Sequence, residues 1–363
     1  MPPTFNGGTR VETSITSQDV IGRDPLGRFL FRLKIKPWQA ALLSFSTFAV
    51  YMFALPALFG VLLPREGLDR SSIADRVNMA GFLFIHPVVM LFYIWQPGQI
   101  AGVYRKALPL LPGDLQGGVL RAARIAHATS RMWLAGALAG AGVMALGFSF
   151  VVDLMGVRWY SYNWLMAVIL QLSRFLLFYL IILAVARHMT MAFNLNRAYL
   201  HIKLPVLIGQ SRYSESFETI TRYGLWFAGF GGVLGMFIAM RFFWSKPLFP
   251  EDAIYLILYL LLVPLAFSLP FWQAHRSMLI SRMDAVRQIS DSLQDEYDRL
   301  MKDLAIDKRL DQDSHIAALR SMLELAEKAP TWPFENWDVY RVIAATFLPF
   351  VMTGIGVLLD LWI

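Results

Sequence analysis

The stretch Ala167–Met189, AVILQLSRFLLFYLIILAVARHM, is apolar on both sides of Arg174 until Arg187 near its end, and six further segments are nearly as apolar. About 20 consecutive apolar residues cross the hydrocarbon core of a bilayer as a helix. Peptide groups find no water there, and a helix satisfies them within itself. The seven segments lie at about 38–63, 78–95, 132–152, 163–186, 224–243, 253–272 and 342–363. They predict an all-α, polytopic transmembrane helical bundle of about seven spans. Charged residues are 16% of the 363-residue chain, against about 25% in soluble domains, which excludes a soluble protein.

There is no cysteine, so disulfides, thiol catalysis and cysteine-based metal sites are excluded. Residues 1–37 hold no apolar signal core, and the first span is expected to serve as the membrane signal. Lys and Arg number six in 1–37, five in 96–131, five in 185–222 and ten in 273–341. The alternate loops hold only Arg65, Arg70, Arg76, Arg158, Arg241 and Lys246. By the positive-inside rule the N-terminus is expected in the cytoplasm and the C-terminus outside, in a bacterial inner membrane. Ten of the eleven tryptophans fall near expected span ends, where the indole prefers the headgroup level; Trp332 lies further out.

Four regions follow. Residues 1–37 are a basic tail, and 38–272 hold six spans with basic loops 96–131 and 185–222. Residues 273–340 read as a cytoplasmic helical hairpin, and 341–363 are the last span. In the hairpin Leu279, Val286, Leu293 and Leu300 recur every seven residues, with Met283, Ser290, Tyr297 and Leu304 on the other seam position. That is a short coiled-coil pattern and predicts self-association, with a tetramer expected. The segment DKRLDQDS (Asp307 to Ser314) breaks it, and a second helix is expected over Ser314–Lys328. Small residues crowd Gly136–Gly147 and Gly229–Gly235, where they serve packing within the chain, a subunit interface or a moving helix. Pro56, Pro87, Pro264 and Pro349 are expected to kink their spans.

The hairpin is acidic, net −4 over 273–340, whereas the other three cytoplasmic segments are net +10. The basic collar has two readings. It obeys the topology rule and attracts anionic membrane lipid, or it binds an anionic cytoplasmic ligand. For the second, Arg121, Arg124, His127 and Arg131 share one helix face, and Arg187, Arg197, Arg212 and Arg222 are expected to complete the site. Arginine suits phosphate oxygens because its planar fork bonds them two at a time.

No catalytic pattern emerges. The six histidines form no HxxxH or HExxH pair, there is no Walker A sequence, and no cofactor or metal site is expected. An enzyme is therefore not expected. Two polar features remain inside the spans. Arg174, eleven residues into 163–186, has Gln171 on the same face. Either it bonds carbonyls freed by Pro87 or Pro264, or it lines a conduit. His86, beside Pro87, is a packing residue or a ligand or proton group.

Six spans, a long hairpin, then Thr331-Trp332-Pro333-Phe334 and a final span resemble a broad set of uncharacterised bacterial membrane proteins with Trp-Pro-Phe before the last helix. The layout also resembles the membrane effector of Hailong anti-phage defence systems. That resemblance implies an oligomeric, ion-conducting effector controlled by a short nucleic acid made by a partner nucleotidyltransferase. It transfers no site residues. A ligand-gated channel is the leading expectation; a secondary transporter and a sensor signalling through the hairpin stay open.

Overall fold

The computed structural model describes residues 14–128, 131–153, 158–200, 211–244, 250–304, 313–329, 331, 332, 334 and 336–362. Among these the chain is helical, with no strand beyond one isolated bridge between Arg70 and Arg158. The helices are α1 Ser17–Ile21, α2 Pro25–Arg32, α3 Pro37–Leu58, α4 Arg76–Leu110, α5 Gly113–Ala128, α6 Arg131–Asp153, α7 Trp164–Tyr199, α8 Ser211–Trp244, α9 Pro250–Ser268, α10 Trp272–Leu304, α11 Asp313–Lys328 and α12 Asn336–Trp362.

Five of the expected spans lie on helices long and apolar enough to cross a membrane: α3, α4, α7, the Phe217–Arg241 part of α8 and the Trp337–Ile355 part of α12. The expected spans 132–152 and 253–272 correspond to α6 and α9. Helices α4 and α7 form the centre. Helix α4 packs on α1, α3, α7 and α8, and α7 also touches α5, α6 and α10. Helix α8 packs on α9 and α12. The small-residue stretch on α8 serves contacts within the chain: a Cβ on Gly232 would stand 2.8 Å from the Ala345 carbonyl oxygen of α12. Tyr259 of α9 donates to that same oxygen at 3.0 Å.

Two of the prolines take an unexpected form. Pro56 and Pro87 each follow a π-helical turn, Val50–Ala54 and Gly81–Ile85. The amides of Leu55 and His86 reach back five residues, to Val50 and Gly81. The wider turn makes room where a proline ring would clash with the carbonyl four residues earlier. The two wide turns face each other through Tyr51 and Phe82, 5.2 Å apart.

The hairpin forms as α10 and α11, which pack together. The expected break at Asp307 lies outside the described residues. The returning helix buries Ile316 and Ala326, yet the seam residues Leu279 and Met283 of α10 stay 38% and 63% exposed. The aromatic segment closes the hairpin at its base. Trp332 stacks on His275 at 3.8 Å, Phe334 packs on Phe267 and Phe271, and His275 Nδ1 lies 2.7 Å from the Thr331 carbonyl oxygen. Pro330 and Pro333 lie outside the described residues.

Trp38, Trp133, Trp164, Trp226, Trp272 and Trp337 are exposed, as headgroup-level indoles are expected to be. Trp159 is not. It is fully buried and donates to Asp75 Oδ2 at 3.1 Å.

Candidate functional site

The segment 14–32 is no solvated tail. Thr16 and Asp19 cap α1 reciprocally: Thr16 N donates to Asp19 Oδ2 at 2.8 Å and Asp19 N to Thr16 Oγ1 at 3.2 Å. The turn ends at Gly22, whose φ of +58° favours glycine. A Cβ there would also collide with the His127 carbonyl oxygen at the end of α5. Asp24 then precedes Pro25, the first residue of α2. An aspartate in this place ordinarily caps its own helix. Asp24 makes no such bond.

Its carboxylate turns into the bundle instead. Arg187 Nη2 of α7 donates to Oδ2 at 2.6 Å, Tyr179 donates to Oδ1 at 2.7 Å, and Tyr93 of α4 donates to Oδ2. Arg187 Nη1 bonds the Tyr93 carbonyl oxygen at 3.2 Å, and its guanidinium carbon lies 4.5 Å from the Tyr93 ring centroid. Asp24 and Arg187 are 4% and 6% exposed. A buried charge is tolerated when it is paired and hydrogen-bonded, and this carboxylate has both.

Around the cage, Arg124 of α5 donates to the Ser14 carbonyl oxygen at 2.7 Å and its Nε lies 3.8 Å from Asp19 Oδ2. His127 is buried, with Nε2 3.4 Å from Tyr104 Oη. Burial, and then the Arg187 charge, lower its pKa from 6.5 to about 4; Asp19 acts in the opposite direction. A small cavity adjoins Asp24, His127, Trp133, Arg187 and Thr190.

The next residue of α7 anchors a second buried cluster. Pro270 has no N–H, so the Ala266 carbonyl lacks its helical donor. His188 Nε2 takes that place at 2.8 Å. A carbonyl only accepts, so Nε2 carries the proton and Nδ1 accepts from Tyr223 Oη at 3.3 Å. Gln96 Nε2 donates to Tyr223 Oη at 3.1 Å and to the Ala184 carbonyl oxygen at 2.8 Å.

The sequence-predicted residues divide as follows. Arg174 and His86 border one cavity with Asn78 and Arg241. The Arg174 guanidinium carbon lies 6.0 Å from the Tyr160 ring centroid. His86 is buried between Phe48 and Phe82, with ring centroids 4.4 and 5.5 Å away. Gln171 is half-buried on α7 and does not line that cavity. Of the collar, Arg121, Arg197 and Arg222 are exposed on three different helices. Arg124 and His127 face the N-terminal segment, and Arg187 pairs with Asp24 rather than opening to solvent. The side chains of Arg131 and Arg212 lie outside the described residues.

Asp24, Tyr93 and Tyr179 were not among the expected site residues. The signal available was the run TSQDVIGRDPLGRFLF, with a capping box and an Asp-Pro helix start. Compared with known proteins, the chain matches no family model, no curated protein and no solved structure.

Proposed function

We propose that the chain is an oligomeric, ligand-controlled ion channel of the bacterial inner membrane, with its N-terminus in the cytoplasm and its C-terminus outside. The observation that carries this reading is the cavity bordered by Asn78, His86, Arg174 and Arg241. Asn78 and Arg241 lie near the ends of α4 and α8, whereas Arg174 lies well inside α7. Ionisable groups inside a span are costly, by about 3 kcal/mol or more for a central arginine, and mark ion or substrate routes. The recess is otherwise lined by apolar groups, Phe82, Leu177, Phe178 and Phe237 among them, and its few polar groups, running from Asn78 and Arg241 near one membrane face to Arg174 at mid-helix, fit such a route.

Self-association is supported by the seam positions Leu279 and Met283, which the chain's own hairpin leaves exposed. A tetramer is the state we propose. The trigger is a polyanionic cytoplasmic ligand, a nucleotide or short nucleic acid, which the Hailong resemblance assigns to a partner nucleotidyltransferase in anti-phage defence. The exposed Arg121, Arg197 and Arg222 would steer it electrostatically.

The test is current across planar bilayers holding purified protein. Wild type is expected to conduct in proportion to salt, and Arg174→Leu to change unitary conductance while still folding. Folded protein that never conducts, or normal current through a poorly folding Arg174→Leu variant, overturns the reading.

A further inference from the structure

We propose that the segment Ser14–Arg32 is a built-in competitor for anionic ligands. Its carboxylates, Asp24 and Asp19, occupy the cationic positions of Arg187 and Arg124 that a phosphate-bearing ligand takes when the segment leaves. The proposal rests on the polyanionic trigger given above and adds where that ligand binds and what it displaces.

The cage is built for an oxyanion in general. One guanidinium and two phenols, from Arg187, Tyr93 and Tyr179, converge on two oxygen atoms of one carboxylate. Charge-assisted donors in this arrangement serve phosphate oxygens equally well. The acid that fills the cage has given up the capping role its position offers. A second carboxylate, Asp19, repeats the pairing with Arg124 at the edge of the segment.

The segment depends on the bundle for its order. Helices α1 and α2 have five and eight residues. Helices that short have no stability of their own, so contacts with the bundle hold them in place. The cavity beside Arg187, bordered by His127 and Thr190, has space for about one water, so an anion reaches the cage only where the segment has left it. While the segment is docked, the apparent affinity for a competing anion falls in proportion to the undocked fraction. The collar therefore answers only an anion that outbids two tethered carboxylates.

The experiment uses full-length protein in neutral-lipid nanodiscs at low salt, with inorganic triphosphate as the probe. Calorimetric titration compares wild type, Asp19→Asn/Asp24→Asn, and that double variant with Arg187→Gln added. The double variant is expected to bind at least tenfold more tightly, and Arg187→Gln to remove the gain. Because the chain has no cysteine, spin labels on Gln18→Cys and Ile125→Cys report the segment's position in an otherwise wild-type protein. Both sites are exposed. Saturating triphosphate is expected to lengthen and broaden that distance. Should the double variant fail to fold, this distance decides alone. Equal affinity in wild type and double variant with an unchanged distance overturns the competition and leaves the polyanionic trigger standing. No binding by either folded protein overturns both.

Discussion

Replacing Arg187 with methionine strands a carboxylate. Asp24 would remain 4% exposed with two phenol donors and no counter-charge. At an effective dielectric of about 20, charges about 4 Å apart attract by about 4 kcal/mol. Removing one partner of a buried pair costs about 3–5 kcal/mol, because the other charge stays desolvated. Replacing both partners with apolar residues removes the charges together with their desolvation cost, and is often near neutral. Here Asp24→Leu/Arg187→Met also leaves Tyr93 and Tyr179 without their acceptor, at about 1 kcal/mol each. The expected losses are therefore about 4 kcal/mol for Arg187→Met, about 6 for Asp24→Leu, which strands both phenols as well as the guanidinium, and about 2 for the double variant. Unfolding by SDS in mixed micelles, followed by tryptophan fluorescence, gives all three. A double variant that loses the sum of the two single losses would show that the pair is not energetically coupled, and the cage would lose its standing as a unit.

Three further outcomes are expected. Gly22→Ala places a Cβ against the His127 carbonyl at a positive φ, at a cost of about 1–3 kcal/mol; trypsin should then cut at Arg23 and Arg28 at least tenfold faster, and an unchanged rate refutes the close approach. His127 is held neutral in the fold down to a pKa of about 4, whereas the unfolded chain takes up its proton near 6.5. Its contribution is complete above pH 6.5 and is lost as pH falls towards 4, by about 1.4 kcal/mol at pH 5.5; His127→Gln should flatten the stability–pH curve between those values. Trp332→Ala removes the stack on His275 and should cost about 1–2 kcal/mol, read as faster hydrogen exchange in α11 with exchange in α4 and α7 unchanged.

Long apolar runs made the helices legible. The run expected at 163–186 became α7, which continues to Tyr199. That at 78–95 became α4, which extends to Leu110. Hydropathy marks the part of a helix that suits lipid; it says nothing about where hydrogen bonding stops, and both helices run on into amphipathic sequence. Arg174 and His86 were legible because each is polar among hydrocarbon, and the fold brings them to one cavity. The cage was not legible. Asp24 and Arg187 are 163 residues apart, and neither interrupts a periodic pattern. Segment 1–37 reads as basic by charge count, which hides the acid that fills the cage. His188 escaped notice for a similar reason: its partner is a carbonyl, freed by a proline 82 residues later, and no side-chain pattern advertises a carbonyl.

The same separation has a consequence for how the protein is made. Asp24 leaves the ribosome long before Arg187 exists. At about 5–20 residues per second, the 163 residues between them take about 8–33 s to synthesise. Throughout that interval the Arg187 guanidinium is not there to meet the carboxylate, so the cage stays open while α3 and α4, both long and apolar enough to cross a membrane, are made. The earliest segment of the described chain is thus among the last to settle. Its docking therefore requires that α7 has been made as far as Arg187.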